Sequence, residues 1–281
     1  MNQKKALREV LVFIVLTLGA SFFVFWGPIA VLQIPTISFV SDIQGPGWAI
    51  ALFITGGFMP SLVALFLTWK WEGADGLRRM GKRVIQFRLG WRAYLAAVTI
   101  ILAVTGGQIG LMRLMGQSFD LSLFAAQLGS FIPLLIIGPL SEELGWRGYA
   151  LDRLQLKWSP IVSALIVGVA WSFWHLPLFF IVGTSQHELA MPFSSFLLSV
   201  TSLAVCYSWL YNLTGRSIWS AIFLHWIQTY AAQVIASGVT RTHLYNWLEF
   251  IPAMFVALVV IGLWLRKRAE VPVMDQVSIE R

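Results

Sequence analysis

Long apolar runs separated by short polar clusters dominate the chain. Eight runs reach about 20 residues, the length needed to cross a hydrocarbon core about 30 Å thick at 1.5 Å per helical residue. They fall at 9–32, 48–69, 93–115, 122–140, 160–182, 193–213, 217–236 and 245–265. The runs are continuous rather than alternating, which predicts helices and not the strands of a barrel. The first run follows Lys4, Lys5 and Arg8 but is longer than the core of a signal peptide, so it is read as a retained span. Between the second and third runs, residues 70–92 mix Trp71, Leu77, Met80, Val84, Ile85, Phe87 and Trp91 with seven basic residues. That mixture suits an amphipathic segment lying along the interface, or an ordinary basic loop. The pattern predicts an all-α polytopic membrane helix bundle. It forms one integral membrane domain over 1–281, with about eight transmembrane helices, an amphipathic segment on the cytoplasmic side and a polar tail over 269–281.

Composition agrees. Of 281 residues, 58% are hydrophobic and 12% charged, against about a quarter charged in soluble domains. A water-soluble enzyme is excluded. The one cysteine, Cys206, excludes a disulfide within the chain and any cysteine-clustered metal site. The net charge of +7 would suit nucleic acid, but its distribution argues otherwise. Of the 20 Lys and Arg residues, all but Arg113 and Arg241 fall in the termini or in loops that eight spans place on one side. The positive-inside rule puts both termini in the cytoplasm. The basic excess is thus a topology signal and an attraction to anionic lipid headgroups, with membrane lipids as partners and no nucleic acid.

Ionisable groups inside spans are costly, so the few present carry the information. The first group is Ser141-Glu142-Glu143-Leu144-Gly145-Trp146-Arg147, just after Pro139. Glu143 and Arg147 are four apart and can pair on a helix, leaving Glu142 pointing elsewhere. A structural account serves equally well: Ser141 caps a new helix and two acids favour its positive end. The second is Trp171-Ser172-Phe173-Trp174-His175-Leu176-Pro177, where His175 is alone among apolar residues and the tryptophans can be simple packing. The third is His225-Trp226-Ile227-Gln228-Thr229, with Gln228 and Thr229 on the face of His225. Such faces also bind helices to one another by hydrogen bonds. Together, two carboxylates, an arginine and two intramembrane histidines resemble a general-base constellation. His187, Glu188, His243 and Glu249 fall in or beside external loops and receive no catalytic role.

These residues carry a resemblance to the CAAX protease and bacteriocin-processing (CPBP) family of intramembrane endopeptidases, which includes type II CAAX prenyl proteases. Glu142-Glu143-x-x-x-Arg147 resembles its first motif. His175 followed by Leu-Pro is similar to its second, Phe-x-x-x-His, with Trp171 in the Phe position. Gly215-Arg216-Ser217-Ile218-Trp219 leading to His225 resembles its third, His-x-x-x-Asn/Asp, with Thr229 in the last place. The motif-bearing core spans approximately 122–236.

The resemblance implies hydrolysis of a peptide bond without a covalent intermediate. Glu142 would be the general base, with His175 helping to hold a water. His225, with Thr229 or Gln228, would hydrogen-bond the forming oxyanion, and Glu143–Arg147 would hold the helix carrying Glu142. Glu142, His175 and His225 could instead ligate zinc. No His-Glu-x-x-His pair is present, and the favoured reading needs no cofactor. The implied partner is a peptide or protein substrate: a prenylated CAAX tail, or a small bacteriocin-related peptide. The expected location is a bacterial inner membrane. Two other classes remain, a transporter or proton-coupled carrier using buried Glu and His, and a catalytically silent immunity or scaffold protein on the protease fold. One geometric demand follows. His175 lies well inside the fifth span, so Glu142 must sit deeper than a span ending at residue 140 allows, or the 143–157 segment must pack within the bundle.

Overall fold

The structure, a computed structural model, describes residues 2–36, 44–238 and 242–269. Arg241 and the tail residues 270–281 lie outside them. The described residues are mostly helical, with no strand among them. Eight long helices follow in order: α1 (Gln3–Val31), α2 (Gly47–Val84), α3 (Trp91–Leu114), α4 (Leu128–Leu154), α5 (Pro160–Trp174), α6 (Phe193–Leu213), α7 (Ile218–Ser237) and α8 (Ile251–Ala269).

Seven stretches of described helix are long and apolar enough to cross a membrane, not eight. The expected seventh span forms as α7, but His225, Gln228, Thr229 and Gln233 make it too polar to count among them. Its setting explains why. It packs against α2, α3, α4 and α6, so protein rather than lipid covers much of its surface, and polar side chains there find partners.

The fourth span is also longer than expected. It runs to Leu154 rather than residue 140, which places Glu142, Glu143 and Arg147 inside the bundle. Arg147 and Arg153, expected in a cytoplasmic loop, are buried at 0% and 5% exposure. The apolar run was broken by charges that are paired in the fold, so hydropathy ended the span too early. Within α4, Ile137 and Gly138 leave helical torsions just before Pro139, whose missing N–H interrupts the helix. Helix resumes at Ser141. Ser141 does not cap it in the expected way: its Oγ donates to the Gly138 carbonyl at 2.8 Å, tying the restart to the break.

α2 crosses α4 at this point. A Cβ on Gly145 would lie 2.5 Å from the Pro60 carbonyl oxygen, so only glycine permits the approach. The Ser61 hydroxyl donates to the Leu140 carbonyl at 3.1 Å beside it. Further on, α2 turns at Gly73, whose φ of 66° suits a residue without Cβ. The amphipathic stretch expected within 70–92 is therefore helical to Val84.

Ion pairs gather at the end of the bundle that carries this stretch. Buried Arg153 donates to Glu9 at 2.7 Å and to Glu72 at 2.6 Å, and its guanidinium lies 3.5 Å over the Tyr149 ring. Arg83 donates to Asp152 at 2.8 Å, to the Arg216 carbonyl at 2.9 Å and to the Tyr211 hydroxyl. The first helix, the end of α2, the end of α4 and the α6–α7 turn thus share one end. Elsewhere an aromatic core fixes the helices: Phe13, Trp26, Trp146, Tyr149 and Trp174 are all buried. Trp174 donates to Ser21 at 2.8 Å, and Trp26 donates to the Phe53 carbonyl at 2.8 Å.

Candidate active site

Restarting α4 after its break aims Glu142 and Glu143 inward from one turn of helix. Both are buried, at 6% and 0% exposure. Arg147, one turn later, donates from Nη1 to both Glu143 oxygens, at 2.8 and 3.0 Å. The guanidinium is flanked by the rings of Trp171 (4.6 Å) and Tyr207 (4.7 Å). Its Nε and Nη2 find no hydrogen-bond acceptor among the described residues, so the π-faces provide its remaining contact.

Glu143 does more than pair with Arg147. Its Oε1 also lies 2.8 Å from His225 Nδ1. A carboxylate only accepts, so Nδ1 carries the proton. In the neutral imidazole the lone pair is then at Nε2. The acid next to Glu142 in sequence thus orients an imidazole from α7.

His175 stands at the C-terminus of α5, where helix gives way to a 3₁₀ turn over Leu176–Phe180. Pro177 supplies that change, since it has no N–H to continue the α-ladder. His175 Nδ1 lies 2.9 Å from the Trp171 carbonyl, an acceptor, so in the neutral ring Nδ1 carries the proton and Nε2 the lone pair. One helical turn earlier, Trp171 donates from Nε1 to Glu142 Oε2 at 2.5 Å. Trp171 therefore bonds both Glu142 and His175, and its ring lies 5.2 Å from that of His225.

A cavity of about 300 Å³ opens among these groups. Glu142, His175, His225, Gln228 and Thr229 all line it, so the structure brings the candidate residues of the three sequence segments to one chamber. Glu143 and Arg147 lie behind its wall. The depth mismatch expected from sequence is absent because α4 continues past residue 140. Tyr207 donates to Gln228 Oε1 at 3.2 Å, which leaves the amide nitrogen as the end available to a ligand. The apolar wall includes Trp26, Phe53, Phe58, Leu178, Phe196 and Leu203. Ser185, Gln186 and Leu189, from the α5–α6 connection, line it as well. That connection is pinned by Glu188: the Gly183 N–H, donating at 2.8 Å, holds its carboxyl below the usual carboxylate range, and His187 adds to the effect.

Three residues carry more than the sequence assigns them. Trp171, which the sequence offers as packing or as the aromatic of the second motif, is a hydrogen-bond donor to Glu142, and its place one turn before His175 is the signal for it. Tyr207 sits in an apolar run and gave none. Glu249, assigned to an external loop, is 4% exposed and lines the cavity; an acid inside an expected span was its signal.

The donor set does not fit a metal. Among the described residues no three His, Cys, Asp or Glu side chains gather closely enough to hold one. Glu142 Oε2 is also engaged by the indole N–H.

A family comparison falls on the same segment. The family model described as type II CAAX prenyl endopeptidase, Rce1-like, matches residues 124–231. A protein named CAAX prenyl protease 2, from Methanococcus maripaludis, is 33% identical over 113 residues, covering 38% of this chain. The match spans 42% of that relative's length. Residues 124–231, which hold the whole site from Glu142 to Thr229, are thus similar to the Rce1-like type II CAAX prenyl endopeptidases.

Proposed function

We propose that the protein is an intramembrane endopeptidase that hydrolyses a peptide bond with a water activated by Glu142 and His175. One observation carries the reading: a buried carboxylate from α4 and imidazoles from α5 and α7 line a single cavity. A water between Glu142 and His175 donates one hydrogen bond to the carboxylate and one to the His175 Nε2 lone pair. Its oxygen lone pair then faces the scissile carbonyl carbon. As the new C–O bond forms, Glu142 takes the water proton, and the carbonyl oxygen becomes an oxyanion. Glu142 returns that proton to the amide nitrogen as the C–N bond breaks, releasing an acid and an amine.

The contact with Glu143 supports a different role for His225 from the one the resemblance implies. Neutral His225 cannot donate from Nε2, so the oxyanion donors are the Gln228 amide nitrogen and the Thr229 hydroxyl. One such donor is worth about 10²–10³ in rate. His225 accepts the N–H of the scissile amide and holds the substrate in register. Glu143 and Arg147 keep His225 in that orientation. No step requires a metal.

The substrate is a peptide whose neighbouring group is apolar enough for the wall of Trp26, Phe53, Phe58 and Phe196. A prenylated CAAX tail meets that requirement, and a small hydrophobic bacteriocin-related peptide is the other candidate. The basic end of the bundle faces the cytoplasm of a bacterial inner membrane, by the positive-inside rule. Proteoliposomes given a prenylated and a plain peptide of one sequence test the reading. Cleavage is expected in the wild type and at least 10²-fold slower in Glu142→Gln, consistent with the size of general-base effects. Near wild-type cleavage by Glu142→Gln would remove the assignment.

A further inference from the structure

We propose that Trp171 is the positioning residue for Glu142: its indole N–H holds one carboxylate oxygen so that the other faces the water. The proposal rests on the reading of Glu142 as general base and names the group that sets its geometry. The bond is short, 2.5 Å from Nε1 to Oε2, and both residues are buried. Among the described residues Glu142 forms no ion pair, and the nearby Arg147 donates to Glu143 instead. The indole N–H is thus a side-chain donor that holds this carboxylate, and a charge-assisted bond is about twice as strong as a neutral one.

The indole cannot easily turn away. The Arg147 guanidinium lies 4.6 Å from its ring, and the rings of Tyr207, His175 and His225 lie at 5.8, 5.9 and 5.2 Å. Its carbonyl accepts from His175 Nδ1. One residue thus fixes the rotamer of Glu142 and the tautomer of His175, the two groups that share the water. The motif that this segment resembles has phenylalanine at this position, and a phenylalanine ring has no N–H to give. Packing alone would be served by either ring, so the two roles separate experimentally.

The test uses the full chain in proteoliposomes with the peptide that the wild type cleaves. Trp171→Phe keeps an aromatic ring and removes the donor. Incorporation of benzothienylalanine at position 171 keeps the shape of tryptophan and replaces N–H by sulfur. Both are expected to lower kcat about 10- to 100-fold, the scale of a misplaced catalytic group, with KM within about twofold of the wild type, because His225 and the apolar wall still hold the substrate. The benzothienylalanine protein is expected to keep the wild-type unfolding midpoint. Full kcat in that protein overturns the proposal. If Glu142→Gln is then inactive, the hydrolase reading stands without it; if Glu142→Gln cleaves at the wild-type rate, both fall.

Discussion

Arg147 and Glu143 form an ion pair with 0% exposure on both sides, and its removal tests how the site is held together. Arg147→Met leaves the Glu143 carboxylate buried with only the His225 Nδ1–H for a partner. An uncompensated buried charge of this kind costs about 3–5 kcal/mol, a large part of the roughly 5–15 kcal/mol that stabilises a domain. The substitution also forfeits the guanidinium between Trp171 and Tyr207, itself worth about 0.5–2 kcal/mol. Glu143→Leu strands the guanidinium instead and has a similar expected cost. The double variant removes both charges and fills the site with apolar atoms. Such replacements are often neutral or stabilising, so the two singles should not add. Unfolding titrations in mixed micelles, followed by tryptophan fluorescence, give the cycle, with an expected coupling on the order of 3 kcal/mol or more. The double variant should still be a poor enzyme, because His225 has lost the acceptor that fixes its tautomer. Additive losses, with the double variant costing the sum of the singles, would refute the argument that the pair matters as a desolvated unit.

Two further outcomes test the frame around the site. Gly145→Ala places a methyl 2.5 Å from the Pro60 carbonyl oxygen; forcing α2 from α4 should cost about 1–3 kcal/mol, as overpacking does. An unchanged unfolding midpoint would show that the crossing is looser than the distance implies. In the α5–α6 connection, the Glu188 carboxyl is held low by the Gly183 N–H. A depressed carboxylate contributes stability that is present above its ordinary value of 4.5 and lost as pH falls through its lower folded value. Hydrogen exchange at the Gly183 amide should therefore stay protected from pH 7 down to about 4.5 and lose protection only below it. Loss of protection already between pH 7 and 5 would contradict the assignment.

The sequence by itself determined that the chain is a bundle of apolar helices, because water cannot satisfy backbone groups in lipid and a continuous apolar run leaves only the helix. It also singled out Glu142, Glu143, Arg147, His175, His225, Gln228 and Thr229, since polar groups among apolar ones are costly enough to need a reason. Hydropathy failed where charges were paired. It ended α4 at residue 140 because it counts Arg147 and Arg153 as exposed, and it credited α7 with a lipid-facing surface that its neighbours cover. Tertiary structure decided the rest. Period and spacing fix which residues share a face of one helix, but not which helices meet. The contact of Glu143 with His225 spans 82 positions, and that of Trp171 with Glu142 spans 29. Those bonds exist because α4 breaks before Pro139 and crosses α2 at Gly145, bringing its acids against α5 and α7. The proton positions on both imidazoles follow from those contacts, and no local pattern in the chain specifies them.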